Sequence, residues 1–265
     1  MGVLTGQTRR QWSAWAGATL LGLAGCAAME QGNKQRQVAS VLSFLFPGKD
    51  APPTPSNQVA VLNVPFRIGV AFVPDTAKPE VRLAETERQA LAAKVREAFA
   101  AFPFVGRIEA VPSLYLEPGG GFANLERVGA LLNLDVIALL SYDQVQHADA
   151  SGWSFLYWTG VGAYVIEGDK FEVLTAVECT VFDVRSHRLL MRAAGTATNK
   201  GGATLVGFSQ KAREARGRSF AEAVDAMIGH LRDEVQAFRE RAPKDPMIQL
   251  VLPPGYDPKA GPAPK

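Results

Sequence analysis

The chain has 265 residues, 47% hydrophobic and 20% charged, with 28 Lys and Arg against 26 Asp and Glu. That much apolar material excludes disorder over most of the length, and a formal charge of +2 excludes the basic footprint of a nucleic-acid binder. Two Cys exclude a disulfide framework and a four-Cys zinc site, and at roughly 100–200 residues per domain one globular unit with tails fits better than two.

Arg9 and Arg10 open a stretch, residues 12–26, that carries no charge and is rich in Ala, Leu and Gly. It is shorter than the about 20 apolar residues of a membrane span, so it reads as a signal peptide. It ends in Leu23-Ala24-Gly25-Cys26, which resembles the lipobox of bacterial lipoproteins. The resemblance implies cleavage between Gly25 and Cys26, a thioether from Cys26 to diacylglycerol, and acylation of the new amine, with palmitate the expected chain. An ordinary secretory signal with a chance Cys is the other reading. Each buried CH₂ adds about 0.8 kcal/mol of membrane affinity, so two or three chains anchor stably. Cleavage removes Arg9 and Arg10 and no acid, which leaves 26 basic and 26 acidic residues and no polybasic attraction to anionic lipid. Ala27 and Ala28, rather than Asp, follow Cys26; by resemblance to sorting rules this points to the outer membrane, periplasmic side. Residues 8–12 also resemble a twin-arginine export signal, although paired Arg occurs in general-pathway signals too.

Beyond the signal (1–25), residues 26–61 hold the anchor, a tether, a short helix and a linker. Val38, Val41, Leu42 and Leu45 predict one apolar stripe on a helix over 36–46, stopped by Pro47-Gly48, either docked on the domain or lying on lipid. Pro52, Pro53 and Pro55 stiffen residues 48–58. The globular part spans 62–241. Strands are expected at 66–73, 107–111 and 135–142, with helices at 86–102 and 123–132 between them. Residues 171–183 alternate strictly: Phe171, Val173, Thr175, Val177, Cys179 and Val181 share one face. They pair as a hairpin with 189–198. A helical segment over 209–216 breaks at Gly217, and Ser219 with Glu222 has the spacing of a capping box that starts the last helix. Residues 242–265 form a Pro-rich, extended tail. The order is β-α-β-α-β, an insertion, then β-β-α: an α/β fold with a mixed sheet and helices packed against it.

Residues 68–74 (IGVAFVP), 134–140 (LDVIALL) and 181–190 (VFDVRSHRLL) resemble the periplasmic domain of the curli-secretion lipoprotein family and the N-terminal domain of the TolB translocation protein. That implies the same α/β fold. Residues 36–47 (RQVASVLSFLFP), 119–125 (GGGFANL), 141–146 (SYDQVQ) and 156–164 (LYWTGVGAY) resemble rhombotarget lipoproteins nearly end to end. This resemblance implies a link to rhombosortase, a rhomboid-type intramembrane protease. Substrates of that protease are expected to end in a Gly-Gly signal, an apolar span and basic residues; this sequence has no such span after Gln249. The family supplies no catalytic residues.

No metal-ligand spacing joins His147, His187 and His230, and neither a nucleophile elbow nor a phosphate loop is present. No catalytic residue, metal or cofactor is expected. Gly119-Gly120-Gly121 reads as a flexible start to a helix and Cys179 as an inert core thiol. A weak third reading is a hydrolase using Asp143, His147 and Asp149 at a strand end. The unusual stretch is 151–166, without charge and holding Trp153, Phe155, Tyr157, Trp158 and Tyr164. These side chains fit packing on the sheet, an interface with a protein partner, or insertion into membrane. The expected function is a non-enzymatic lipoprotein module of the cell envelope, held to the membrane through Cys26 and meeting an envelope partner. The alternative is an oligomeric secretion-pore component.

Overall fold

The computed structural model describes residues 35–48, 57–74, 84–100, 102–150, 169–203 and 208–256. In chain order these form β1 (Gln35–Ala39), α1 (Val41–Leu45), β2 (Ala60–Asn63), β3 (Phe66–Phe72), α2 (Glu85–Phe99) and β4 (Val105–Ala110). They continue with α3 (Gly121–Leu132), β5 (Val136–Ala150), β6 (Asp169–Asp183), β7 (Leu189–Ala203), α4 (Phe208–Arg241) and β8 (Ile248–Val251).

Local chemistry explains the element ends. Glu85 and Glu87 sit in the first turn of α2 and Arg96 in its last, matching the helix dipole, and the Glu87 carboxylate accepts from the Ala84 N–H at 3.1 Å. Asn133 closes α3 in the left-handed conformation, φ 55°, which Asn tolerates. Gly119 and Gly121 have φ of 68° and 61°, so here glycine is required rather than merely flexible.

The main sheet runs β4-β3-β5-β6-β7, with β1 also paired to β5. β3 is parallel to both β4 and β5; β6 and β7 follow antiparallel. Because β4 and β5 flank β3 on opposite sides, right-handed crossovers place α2 on one face and α3 on the other. α4 joins α2, and Lys94 of α2 reaches Asp225 of α4 at 2.7 Å. α1 joins α3, where Phe46 meets the Phe122 ring and Phe122 meets Phe182 of the sheet. Ile137, Leu139 and Leu140 of the central strand are fully buried, as a strand covered on both sides demands. The fold is thus α/β, a mixed six-stranded sheet with four helices packed against it.

β5, β6 and β7 are each 15 residues long, roughly 50 Å of strand, and α4 at 34 residues is a matching length of helix. Helix and sheet touch closely at Gly195, where a Cβ would lie 2.2 Å from the Ala223 carbonyl oxygen.

Four sequence expectations are corrected. Residues 36–46 are not one helix: β1 pairs with β5, Ser40 Oγ accepts from the Ser43 N–H, and only five residues turn helical, leaving Leu42 69% exposed. The strand expected at 135–142 continues to Ala150. α4 runs unbroken through Gly217, so Ser219 lies inside a helix and caps nothing. Within the Pro-rich tail, β8 pairs in parallel with β2 as a second, two-stranded sheet.

Candidate functional site

Beyond the end of β3 the sheet narrows to β1, β5, β6 and β7. β1 takes the flank of β5 that β3 leaves: β3 pairs as far as Leu140, and Ala39 of β1 opposes Tyr142. This is the crevice outside the carboxyl ends of parallel strands, at a reversal of strand order, where open α/β sheets place ligands. Here the chain's own β1 fills it. Arg36 clamps the strand, donating from Nε and Nη2 to the two Asp143 carboxylate oxygens at 3.0 and 2.5 Å.

One face of this upper hairpin is open to water. Glu178 faces Arg192 at 3.6 Å and Glu172 faces Lys200 at 3.2 Å, with Leu174 between them 47% exposed. The other face packs on α4 through a polar layer. Gln144 Nε2 donates to Thr175 Oγ1 at 2.7 Å and to the Arg216 carbonyl at 3.3 Å. Ser219 Oγ lies 2.7 Å from Thr175 Oγ1 and 3.3 Å from the Ala197 carbonyl oxygen. Arg216 Nη1 donates to Gln146 Oε1 at 2.6 Å. Burial lowers the Arg216 pKa, nearby Arg213 lowers it further, and Glu87 opposes both. Above the layer, Phe171, Val173 and Ala215 form a small apolar cluster with Phe208, separate from the main core.

Gly25 and Cys26 lie outside the described residues, as do Trp153, Phe155, Tyr157, Trp158 and Tyr164. The paired residues Ala150 and Asp169 mark where the chain leaves for the aromatic segment and returns. The hydrolase reading loses its geometry. Asp143 is taken by Arg36, and His147 stands four residues farther along the same strand, about 13 Å away. His187 Nε2 pairs with Glu126 at 2.6 Å and its ring stacks on Phe122, while His230 Nδ1 donates to the Ala194 carbonyl. The three His therefore sit in three separate settings. Among the described residues no group of three His, Cys, Asp or Glu could hold a metal ion. Burial, then nearby Glu178, pushes the Cys179 thiol up to about 12, so it is un-ionised at neutral pH.

No family model matches the chain, and no curated protein matches it. Among solved structures the chain is similar to the PelC dodecamer from Paraburkholderia phytofirmans. One such structure is 11% identical over 74% of this chain and 99% of that chain, with a TM-score of 0.26. A second is 12% identical over 73% and 97%, also at 0.26. Lipoprotein GNA1162 from Neisseria meningitidis is 15% identical over 62% and 98%, with a TM-score of 0.22. Likeness at these scores carries no argument about function.

Two features escaped sequence reasoning. The first is the polar layer, although Gln144 and Gln146 fall at the even positions that Leu140 and Tyr142 place on the buried face. The second is the Arg67–Asp135 clamp: Asp135 accepts from the Arg67 backbone N–H at 3.1 Å, from Nε at 2.8 Å and from Nη2 at 2.6 Å. No local spacing links residues 68 apart.

Proposed function

We propose that this chain is a lipid-anchored lipoprotein of the bacterial envelope, held in the outer membrane through Cys26 and facing the periplasm. In this reading it serves as a non-enzymatic interaction module. The observation that carries it is the run from Arg9-Arg10 through an uncharged stretch to Leu23-Ala24-Gly25-Cys26. The path of the chain after Cys26 supports it. Only residues 27–34 separate Cys26 from β1, a reach of at most about 29 Å. β1 is antiparallel to β5, with Gln35 opposite Gln146, so the end leading back to Cys26 and the end leading out to 151–168 point the same way. The crevice that would take a substrate in such a sheet holds β1 instead, which favours binding over catalysis. In the reading we favour, Trp153, Phe155, Tyr157, Trp158 and Tyr164 meet a protein partner close to the bilayer. A rhombosortase connection rests on the sequence resemblance alone.

The test is expression of the full chain and of Cys26→Ser in a Gram-negative host, with fractionation, mass analysis of the N-terminal peptide and crosslinking of intact envelopes. The expected result is a diacylglyceryl, N-acylated Cys26 in the outer-membrane fraction, release of Cys26→Ser from it, and a specific crosslinked protein lost on Trp153→Ser with Trp158→Ser. A free thiol at Cys26 or an uncut leader overturns the anchor. Ring-shaped oligomers in detergent, without a second protein, would favour the secretion-pore alternative.

A further inference from the structure

The contact between α4 and the sheet changes character along its length. Up to the level of Tyr142 and Phe220, whose rings meet edge to face at 4.9 Å, it is the apolar main core. Next comes the layer of Gln144, Thr175, Ser219 and Arg216, and beyond it the separate cluster of Phe171, Val173, Ala215 and Phe208. Two observations mark the layer as a seam. Gln144 is 1% exposed, yet its Oε1 has no hydrogen-bond donor among the described residues. A buried orphan acceptor is costly, and opening the layer to water relieves that cost. Gly217 sits in α4 at this level, between Arg216 and Ser219. Its backbone is helical, and a Cβ there would meet only Glu87 Oε1 at 4.0 Å, so no close approach demands a glycine. A glycine inside a helix weakens it locally.

We propose that the far end of the hairpin is a separately opening unit, made of residues 145–150, 169–174 and 198–203 with residues 208–216 of α4, hinged at the Gln144 layer and Gly217. It opens while the body below Tyr142 stays folded, because its apolar cluster is small and no continuous core joins it to the rest. The strand ends that carry residues 151–168 belong to this unit, so a partner gripping that end selects one of its states. The inference does not depend on the lipid anchor.

Hydrogen exchange of the full-length protein tests it. Amides of 208–216, 145–147 and 170–174 are expected to exchange through one shared opening, at least about tenfold more often than those of 219–235 and 136–141. Gly217→Ala should slow that shared group by about fivefold, the worth of one glycine in a helix, and should slow the body by the same factor, because global unfolding includes the same opening. Gly229→Ala, also at an open position of α4 but in the body, should slow the body by a similar factor and leave the shared group unchanged. Equal protection of both groups overturns the proposal. So does a Gly229→Ala effect that slows both groups equally, the mark of a single cooperative unit. A Gly217→Ala effect on the far end that is confined to its helix amides would reduce the observation to fraying and overturn it as well.

Discussion

Asp135 shows how one residue ties elements together that local sequence leaves unrelated. Burial pushes its carboxyl up, but the three hydrogen bonds and the charge of Arg67, with a contribution from Arg185, outweigh this and hold it below the ordinary carboxylate range. The clamp joins the start of β3 to the start of β5, while the Asp135 carbonyl also accepts from the Val184 N–H. A carboxyl depressed in the folded state adds stability that is present above its unfolded value, near 3.9, and is lost as pH falls through the folded value. Asp135→Asn should therefore cost about 1 kcal/mol at neutral pH, a modest figure because Arg67 is partly solvated. Its urea midpoint should converge on that of the parent chain as pH drops below about 4. A gap between the two that is constant with pH would mean that shape rather than charge makes the contact.

At the scale of elements, β7 is a long edge of the sheet, unpaired on its outer side among the described residues, and such edges invite pairing with another chain. Its even-numbered residues turn their carbonyls outward, and three of these are already engaged by α4. Arg241 Nη2 donates to Leu190 O at 2.6 Å, His230 Nδ1 to Ala194 O at 2.6 Å, and Lys211 Nζ to Gly202 O at 3.3 Å. The helix thus guards the edge it overhangs. His230→Ala with Arg241→Ala should free two carbonyls and produce concentration-dependent dimers in sedimentation velocity. A mass unchanged from the parent chain at high concentration would show that the edge is blocked by other means. The same elements show what the sequence makes legible. β6 and the part of α4 beyond Ser219 announce themselves because each lays a buried apolar face on a partner, whereas the first two turns of α4 read as a separate segment. β1 does not: five residues become a strand only because β5 outruns β3, and β5 reads short because Gln144 and Gln146 interrupt its apolar face. Ser219 has the spacing of a cap, yet its partners, Thr175 and Ala197, are 44 and 22 residues away in the sheet. The candidate site divides in the same manner. The lipobox-like run proposed to end at Cys26 is local and therefore visible, whereas the polar layer exists only once helix and sheet meet.

For the molecule as a whole, the apolar core is incompletely filled at one place, between α2, α4 and the sheet. Val95, Phe99, Ile108, Ala138, Val235 and Phe238 are among the residues around a wholly apolar cavity of about 70 Å³. A dry cavity of about 150 Å³ is known to take benzene, so this one is better described as a void left by imperfect filling than as a ligand site. Such a void costs stability, because the side chains around it lack contacts on one side. Ala138 lies on the central strand and borders the space, and a β-branched residue suits a strand. Ala138→Val would place two further carbons there without adding a polar atom. The expected gain is about 1 kcal/mol, seen as a higher urea midpoint with unchanged slope and a Tm higher by about 2–4 °C. A lower midpoint would mean that the helices close over this space in solution and that valine overpacks it. In that case the body of the protein would be tighter than its static structure, and the contrast between a firm body and a loosely joined hairpin end would be sharper still.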